Sequence, residues 1–352
     1  MNSSGPAAVI ILAAGEGTRM RTATPKMLNE VCGRAMLGHV FAAVRELNVG
    51  QVVLVVSDLD GQVARYAAEH CPEATLVVQE RNGSWGTGHA VRTVIESVGA
   101  IPGTVLVVFS DTPLLRGRTL ATLAAEHEAS ESAVTVLTAV APDPAGYGRI
   151  IRDQAGRVVD IVEDRDATPE QHAVGEISSG IFAFDGDLLA DAIKRVPAAN
   201  AAGEEYLTAV PAILRADGHP VGSARCEDFD EVQGVNNQAQ LARTRRVLNE
   251  RLVGDWMAAG VTIVDPNTTW IDVDVKIEPG ARIGPSTQLE GRTVIRAGAR
   301  IGPGALLRDT TVGAGATVIQ SVCESAEIMP DATVGPFAHL TAQVTAQQGE
   351  EI

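Results

Sequence analysis

From Ile271 onward an aliphatic residue returns at every sixth position: Ile271, Ile277, Ile283, Leu289, Ile295, Ile301 and Leu307. Few backbones fit that period. An α-helix repeats near 3.6 residues and a strand at 2. A period of six, with Gly-rich steps such as Pro279-Gly280 and Pro303-Gly304 between, predicts a parallel β-helix with one inward residue per face of a triangular coil. The register slips after Leu307, and Val312 to Val318 and Ile328 to Val334 to Leu340 then keep six again. The polar interval 320–327 reads as a loop thrown out of a coil. Ordinary short antiparallel strands leave the fixed phase unexplained.

The preceding residues follow another rhythm. Val9 to Leu12 is a short aliphatic run, and 51–56, 75–79 and 104–109 read as further buried strands. Helical spacing falls between them at 36–47 and 62–69, and Gly86-Thr87-Gly88-His89 opens a helix that includes Val91, Val94 and Ile95. This alternation predicts an α/β fold with a doubly wound, mostly parallel sheet and ligands beyond the strands' carboxyl ends. Segments 133–140, 158–163 and 177–184 read as strands of substrate-binding inserts. Tyr206-Leu207-Thr208 opens a helical stretch, and 238–257 is a long helix carrying Leu241, Val247, Leu248 and Leu252, read as a spacer between domains. The expected organisation is a first domain at 1–236, a linking helix at 237–260, a β-helix at 261–341 and a polar tail at 342–352.

The chemistry concentrates where the first strand ends. Ala13, Ala14, Gly15 and Gly17 put little side chain between the backbone N–H groups and an approaching ligand, and successive amides after a strand can line an anion site. Arg19, Arg21 and Lys26 follow within a few residues. Amides to cradle, an Arg fork and a Lys point charge suit a polyphosphate. Gln79, Gly86-Thr87 and Asp111 also fall at strand ends or just beyond them. No Ser-His-Asp or Cys-His arrangement stands out, and no histidine pair has a zinc spacing.

The stretch 12–28, LAAGEGTRMRTATPKML, resembles the signature of sugar-1-phosphate nucleotidylyltransferases. Its form LAAG-x-GTRM…PK-x-L is similar to the N-acetylglucosamine-1-phosphate uridylyltransferase half of the bifunctional GlmU enzymes. It is neither a Walker P-loop nor a dinucleotide G-x-G-x-x-G. The resemblance implies a Rossmann-like nucleotidyltransferase domain followed by a left-handed hexapeptide-repeat β-helix. It implies attack of a sugar 1-phosphate oxygen on the α-phosphorus of UTP, with Arg19 and Lys26 catalytic. Leu12, Ala13, Ala14, Gly15, Gln79, Gly86 and Thr87 would then bind the nucleotide, and Asp111 and Asn236 would hold Mg²⁺. Oxygen donors suit that ion, and one or two protein ligands plus substrate phosphates suffice for it. As a reading of the residues alone, Asp111 before Thr112-Pro113 is also a good helix N-cap.

On the sugar side, Tyr147-Gly148-Arg149-Ile150, Val162-Glu163 and Tyr206-Leu207-Thr208 match the family's sugar-contacting segments, which implies Gly148, Glu163, Ser178, Tyr206 and Thr208 as contacts. The chain departs from the family at two places. Ser178 stands where the family has Asn, and Ala209 stands where it has Asp. Both leave the nucleotide chemistry intact and leave the sugar open. The product expected is UDP-N-acetylglucosamine, with another hexose 1-phosphate, or a non-catalytic sugar-nucleotide-binding paralogue, as alternatives. The family's β-helix runs past the equivalent of Leu340 and its later coils carry the acetyl-CoA site, so acetyl transfer is not expected. Short β-helices of this kind resemble trimerising domains, which makes a homotrimer an expectation.

A formal net charge of −16 argues against general nucleic-acid or anionic-membrane binding. A polyanionic substrate must then be held by local features. Cys32, Cys71, Cys226 and Cys323 are scattered without a C-x-x-C, and no long apolar run exists. The expectation is a soluble, cytoplasmic protein with reduced thiols.

Overall fold

In the structure, a computed structural model that describes residues 5–80, 85–198 and 203–342, the aliphatic run near the N-terminus is strand β1, Ala8–Leu12, with all its residues buried. Strands buried on both faces read as continuous apolar runs because neither face meets water. Ile10 and Leu12 enter one apolar cluster, and Val9 and Ile11 the other. The chain divides into two units, 1–29 with 36–237 and 30–35 with 238–352.

The first unit carries nine strands among its described residues. After β1 come β2 (Gln51–Val56), β3 (Thr75–Val78), β4 (Thr104–Phe109), β5 (Val134–Val140), β6 (Gly148–Arg152), β7 (Val158–Val162), β8 (Glu176–Asp185) and β9 (Val221–Arg225). Their order is β9-β5-β8-β4-β1-β2-β3, with β6 and β7 attached at the start of β8. All main-path pairings are parallel except those of β8, which runs antiparallel to both β4 and β5. The expected mostly parallel sheet is present, and β1, β3 and β4 do deliver their carboxyl ends to one edge. Helices α1 (Met36–Arg45), α2 (Gln62–His70), α3 (Thr87–Val98) and α4 (Gly117–Ala129) connect the strands. Helix α1 stops short of the expected residue 47 because Glu46 and Leu47 donate to Ala43 and Val44, three residues back, which tightens the last turn.

Strand β8 carries an irregularity that shapes the site. Its pairing with β5 shifts between Ser178 and Phe182, and Gly180 there has φ of 77°. A Cβ at that position would lie 2.3 Å from the Phe109 ring, so only glycine lets the bulge close over that side chain.

The second unit is built from short parallel strands stacked in three sheets, the expected left-handed β-helix. Its three inward columns are Ile263, Ile283, Ile301, Val318 and Val334; then Ile271, Leu289, Leu307, Cys323 and Leu340; then Ile277, Ile295, Val312 and Ile328. All are buried. The interval 320–327 is not thrown out as a loop. Val322–Glu324 is a strand paired with Leu306–Arg308, and Cys323 stacks on Leu307 with no exposure. The period shortens from six to five at that coil, and a thiol takes the aliphatic place. Thr287, Thr293, Thr310 and Ser321 are also buried, and their hydroxyls donate to backbone carbonyls at 2.7 to 2.9 Å. Buried hydroxyls paired in this way carry little desolvation cost.

Helix Gln238–Ala258 belongs to this second unit. Of its apolar residues Leu241 is buried, whereas Val247, Leu248 and Leu252 are half-buried. Asn249 is buried instead, donating to the Thr269 carbonyl at 2.8 Å and accepting from the Ile271 N–H at 2.9 Å. The hairpin Glu30–Val31 with Arg34–Ala35 also counts with this unit. Arg34 pairs with Asp274 at 2.6 Å, and the Val273 N–H donates to Cys32 O at 3.1 Å. Among the described residues no helix is long and apolar enough to cross a membrane. The expected polar tail falls, from residue 343, outside the described residues.

All four cysteines are buried and unpaired with one another. Burial pushes the Cys32 thiol up to about 12, and Cys71, Cys226 and Cys323 up to about 11. The nucleophilic thiolate is therefore scarce at neutral pH. Iodoacetamide at about pH 8 is expected to leave the native protein unlabelled over minutes and to label all four thiols after unfolding, as read by intact mass. Rapid labelling of the folded protein would contradict this burial.

Candidate active site

At the end of β1 the chain enters a cavity of about 350 Å³ lined by Leu12, Ala14, Gly15, Lys26, Gln79 and Asp111, among others. A Cβ on Gly15 would meet no protein atom within 4 Å, so the space beside its backbone is open to a ligand. Ala13 is different. Its N–H donates to Val55 O at 2.9 Å and its side chain lies in the core on the other face of the sheet. Ala13 is thus removed from the amides offered to a phosphate, because its N–H carries the bonding to the neighbouring strand one residue past the end of β1. Gly17 has φ of 62°, and a Cβ there would sit 2.4 Å from Lys26 Cβ. Its glycine permits the close approach of the lysine's stem.

Lys26 opens a short 3₁₀ turn, Lys26–Leu28, directly after Pro25. Its Nζ pairs with Asp111 Oδ2 and donates to Asn236 Oδ1 at 3.1 Å. Arg19 Nη2 donates to the same Asn236 oxygen at 2.8 Å. The Val235 N–H holds Asp111 by its backbone carbonyl at 2.9 Å. Thus the expected catalytic pair and the expected metal pair meet. Arg21 does not join them: it is exposed, adopts φ of 52°, and lines another cavity with Thr18, Thr22, Ser57 and Asp58. The N-cap reading of Asp111 also fails, since α4 begins at Gly117 with Arg116 in the cap position.

The donor set can be tested against a divalent cation. One ammonium already touches both Asp111 Oδ2 and Asn236 Oδ1, so the two oxygens are near enough to share a single cation. One carboxylate and one amide oxygen fit Mg²⁺ completed by phosphate oxygens and water. They do not make a self-sufficient cage, and no cluster of three or more His, Cys, Asp or Glu ligands occurs among the described residues.

Gln79 follows β3, its N–H bonded to Val56 O at 2.9 Å. Its Nε2 lies 3.0 Å from both Gly86 O and His89 Nδ1. Gly86 has φ of 110°, and a Cβ there would come within 2.4 Å of Glu205 O. That contact is part of a clasp. The Glu205 N–H donates to Trp85 O at 2.8 Å, the Gly88 N–H donates to Glu205 O at 2.7 Å, and Leu207 N–H donates to Thr87 Oγ1 at 3.0 Å. Arg92 grips the Glu205 carboxylate with two bonds of 3.0 and 2.7 Å. Trp85, His89, Arg92 and Glu205 were not marked by the sequence. Only the adjacency of Glu205 to Tyr206-Leu207-Thr208 pointed there.

The expected sugar residues Gly148, Glu163, Ser178, Tyr206 and Thr208 all line a second cavity of about 250 Å³. It shares Thr87, Phe109 and Glu204 with the first. A Cβ on Gly148 would lie 3.3 Å from Ile161 Cγ2 and 3.7 Å from Glu163 Oε2, narrowing this cavity. Thr208 Oγ1 donates to Glu163 Oε1 at 2.6 Å. The Ser178 hydroxyl accepts from the Gly180 N–H at 3.2 Å, turned back on its own bulge. Burial holds the Glu163 carboxyl above its ordinary range against the bond from Thr208, and nearby Asp166, Glu204 and Asp164 push it the same way. Burial likewise raises the Tyr206 phenol, with Glu204 and Glu163 adding to it.

Because Glu163 titrates higher when folded than its ordinary 4.5, the native state holds its proton longer than the unfolded chain. Stability from this group is full below the ordinary value and declines as pH rises through the raised one. Glu163→Gln keeps an acceptor for Thr208 and removes the charge. Thermal melts from about pH 4 to pH 8 are expected to show a higher midpoint at neutral pH and a weaker alkaline decline in the variant. Equal declines in both proteins would contradict the assignment.

Residues 9–254 match the family described as MobA-like NTP transferase domain. The chain is 54% identical over 343 residues to the bifunctional protein GlmU of Streptomyces avermitilis, covering 97% of this chain and 70% of that protein. It is 52% identical to the bifunctional protein GlmU of Streptomyces coelicolor, over 97% of this chain and 70% of the relative. Against that of Thermobifida fusca the identity is also 52%, over 94% and 69%.

Proposed function

We propose a function from one premise: the chain belongs to the bifunctional GlmU family, carries its MobA-like NTP transferase domain, and is a nucleotidyltransferase. The reaction is Mg²⁺-dependent transfer of a uridylyl group from UTP to N-acetylglucosamine 1-phosphate. A phosphate oxygen of the sugar forms a bond to the α-phosphorus, the bond to the bridging oxygen of the β-phosphate breaks, and pyrophosphate leaves. No protein nucleophile is needed, so the residues position the two anions and offset their charge.

The observation that carries this reading is the meeting of Lys26, Arg19, Asp111 and Asn236 beside two adjoining cavities. The Ala14 and Gly15 backbone flanks the phosphate-sized space. Lys26 and Arg19 supply fixed positive charge to the transferring phosphorus and the leaving group. Asp111 and Asn236 would hold Mg²⁺, which when bound neutralises phosphate oxygens and orients the triphosphate. Gln79 and Gly86 face the base, and Glu163 accepts from sugar hydroxyls in the second cavity.

A second reading, the same transfer to another hexose 1-phosphate, is favoured by Ser178. Its hydroxyl is engaged with Gly180 N–H, so the side chain extends less far toward a ligand than an Asn would. Pyrophosphate release measured over a panel of sugar 1-phosphates with UTP separates the two. The expected result is highest kcat/KM with N-acetylglucosamine 1-phosphate. Asp111→Asn and Lys26→Met are each expected to lower kcat/KM by about 10²- to 10³-fold while the circular dichroism spectrum is kept. Turnover unchanged in Asp111→Asn would remove the metal assignment, and a silent wild-type protein would remove the reading itself.

A further inference from the structure

The hydrogen bonds around Gln79 determine which of its amide atoms can face a ligand. Gly86 O can only accept, so the atom 3.0 Å from it has to be the amide nitrogen Nε2. The same nitrogen lies 3.0 Å from His89 Nδ1. An NH₂ group offers two hydrogens and no acceptor, so His89 Nδ1 must be the unprotonated nitrogen of a neutral imidazole. Both hydrogens of Gln79 are then committed, and Oε1 remains as the amide atom that this residue can present to the cavity it lines.

We propose that His89 is a specificity-determining positioning residue: by accepting from Gln79 it locks the amide with its carbonyl oxygen toward the base, so that the site selects a pyrimidine whose ring nitrogen carries a hydrogen. Uracil presents N–H at that ring position and cytosine presents a lone pair. An acceptor facing a lone pair is left unpaired, and a site built around one hydrogen bond rejects the analogue that cannot make it. His89 does not touch the substrate in this scheme. It acts through Gln79, and the inference rests on the uridylyl reading given above.

The surroundings of His89 keep it in the required state. Its residue is buried in the first turn of α3, and Thr93 Oγ1 donates to its backbone carbonyl at 2.9 Å. Burial holds the imidazole below its ordinary range and the Arg92 guanidinium adds to this, while Glu205 and Glu96 pull the other way. The ring is therefore neutral at pH 7. Protonation would place an N–H on Nδ1 against the Gln79 NH₂, two donors face to face, and the amide would turn.

The test is the ratio of kcat/KM for UTP to that for CTP, measured with the full chain. Triphosphate and sugar-phosphate contacts are common to both nucleotides and cancel in the ratio. In His89→Leu, which cannot accept, the ratio is expected to fall by about tenfold or more. In His89→Asn, whose carbonyl can accept from Nε2, it is expected to stay within about twofold of wild type. A ratio unchanged in an active His89→Leu protein, or equal losses in His89→Leu and His89→Asn, would overturn the proposal. If His89→Leu does not fold, His89→Phe, a ring of similar size that cannot accept, takes its place, and an unchanged ratio in that variant overturns the proposal. Failure of the uridylyl reading looks different, since wild type would then release no pyrophosphate from UTP.

Discussion

The site depends first on the ion pair between Lys26 and Asp111, with Asn236 accepting from the same ammonium. Their side chains are only 13% and 15% exposed, so the two charges are largely removed from water. A charge in that setting has to be paired, and removing either partner strands the other. Asp111 is 85 residues from Lys26, and Asn236 is 210 residues away. The parallel sheet solves that problem by ending β1 and β4 side by side, with Leu12 paired to Phe109. Within a chain of net charge −16, this small region is where local cations can outweigh the global field. At the ionic strength of a cell the rest of that field is screened beyond roughly 8 Å.

Much of this was legible in the sequence, for physical reasons. Aliphatic runs such as 52–56 and 105–108 mark strands buried on both faces, and the structure has them within Gln51–Val56 and Thr104–Phe109. The repeat after Ile271 fixed the coil because each inward position must be apolar. Where the structure differs, a local count cannot see the cause. The column position of Cys323 is set by the strand beneath it, Leu306–Arg308, and not by its neighbours in the chain. Arg21 reads as a third cation by proximity in sequence, but its left-handed backbone sends it to another cavity. Ala13 reads as a bare amide, yet Val55 takes its N–H. The antiparallel course of β8 was equally hidden, since residue alternation carries no sign of direction.

The clasp around Glu205 had the weakest signal and has wide consequences. Three backbone N–H donors and one bidentate Arg pair join residues 85–92 to 205–207. Charge-assisted bonds of that kind are roughly twice as strong as neutral ones, and the Glu205 side chain is 9% exposed. The glycines at 86 and 88 are needed for the approach, since a Cβ on either would lie 2.4 or 2.9 Å from the Glu205 carbonyl oxygen. One wall thereby serves both cavities. Displacing it to fit a ligand on one side would shift Thr87, Tyr206 and Leu207 on the other, so the shapes of the two cavities are linked by covalent geometry and hydrogen bonds together.

That linkage gives meaning to the poorly solvated carboxyl of Glu163. In the unliganded cavity its charged form is disfavoured by burial and by Asp166, Glu204 and Asp164, against a single donor from Thr208. Such a group opposes folding at neutral pH, and a core built for stability alone would replace it with an apolar residue. Hydrogen bonding to the charged form has the opposite effect. A ligand bringing several hydroxyl donors would supply what the protein withholds, and the free energy of leaving Glu163 undersupplied would then return as preference for that ligand. In the reaction proposed above, the sugar phosphate would complete this site, and the cost of Glu163 to the empty fold would be recovered as selectivity.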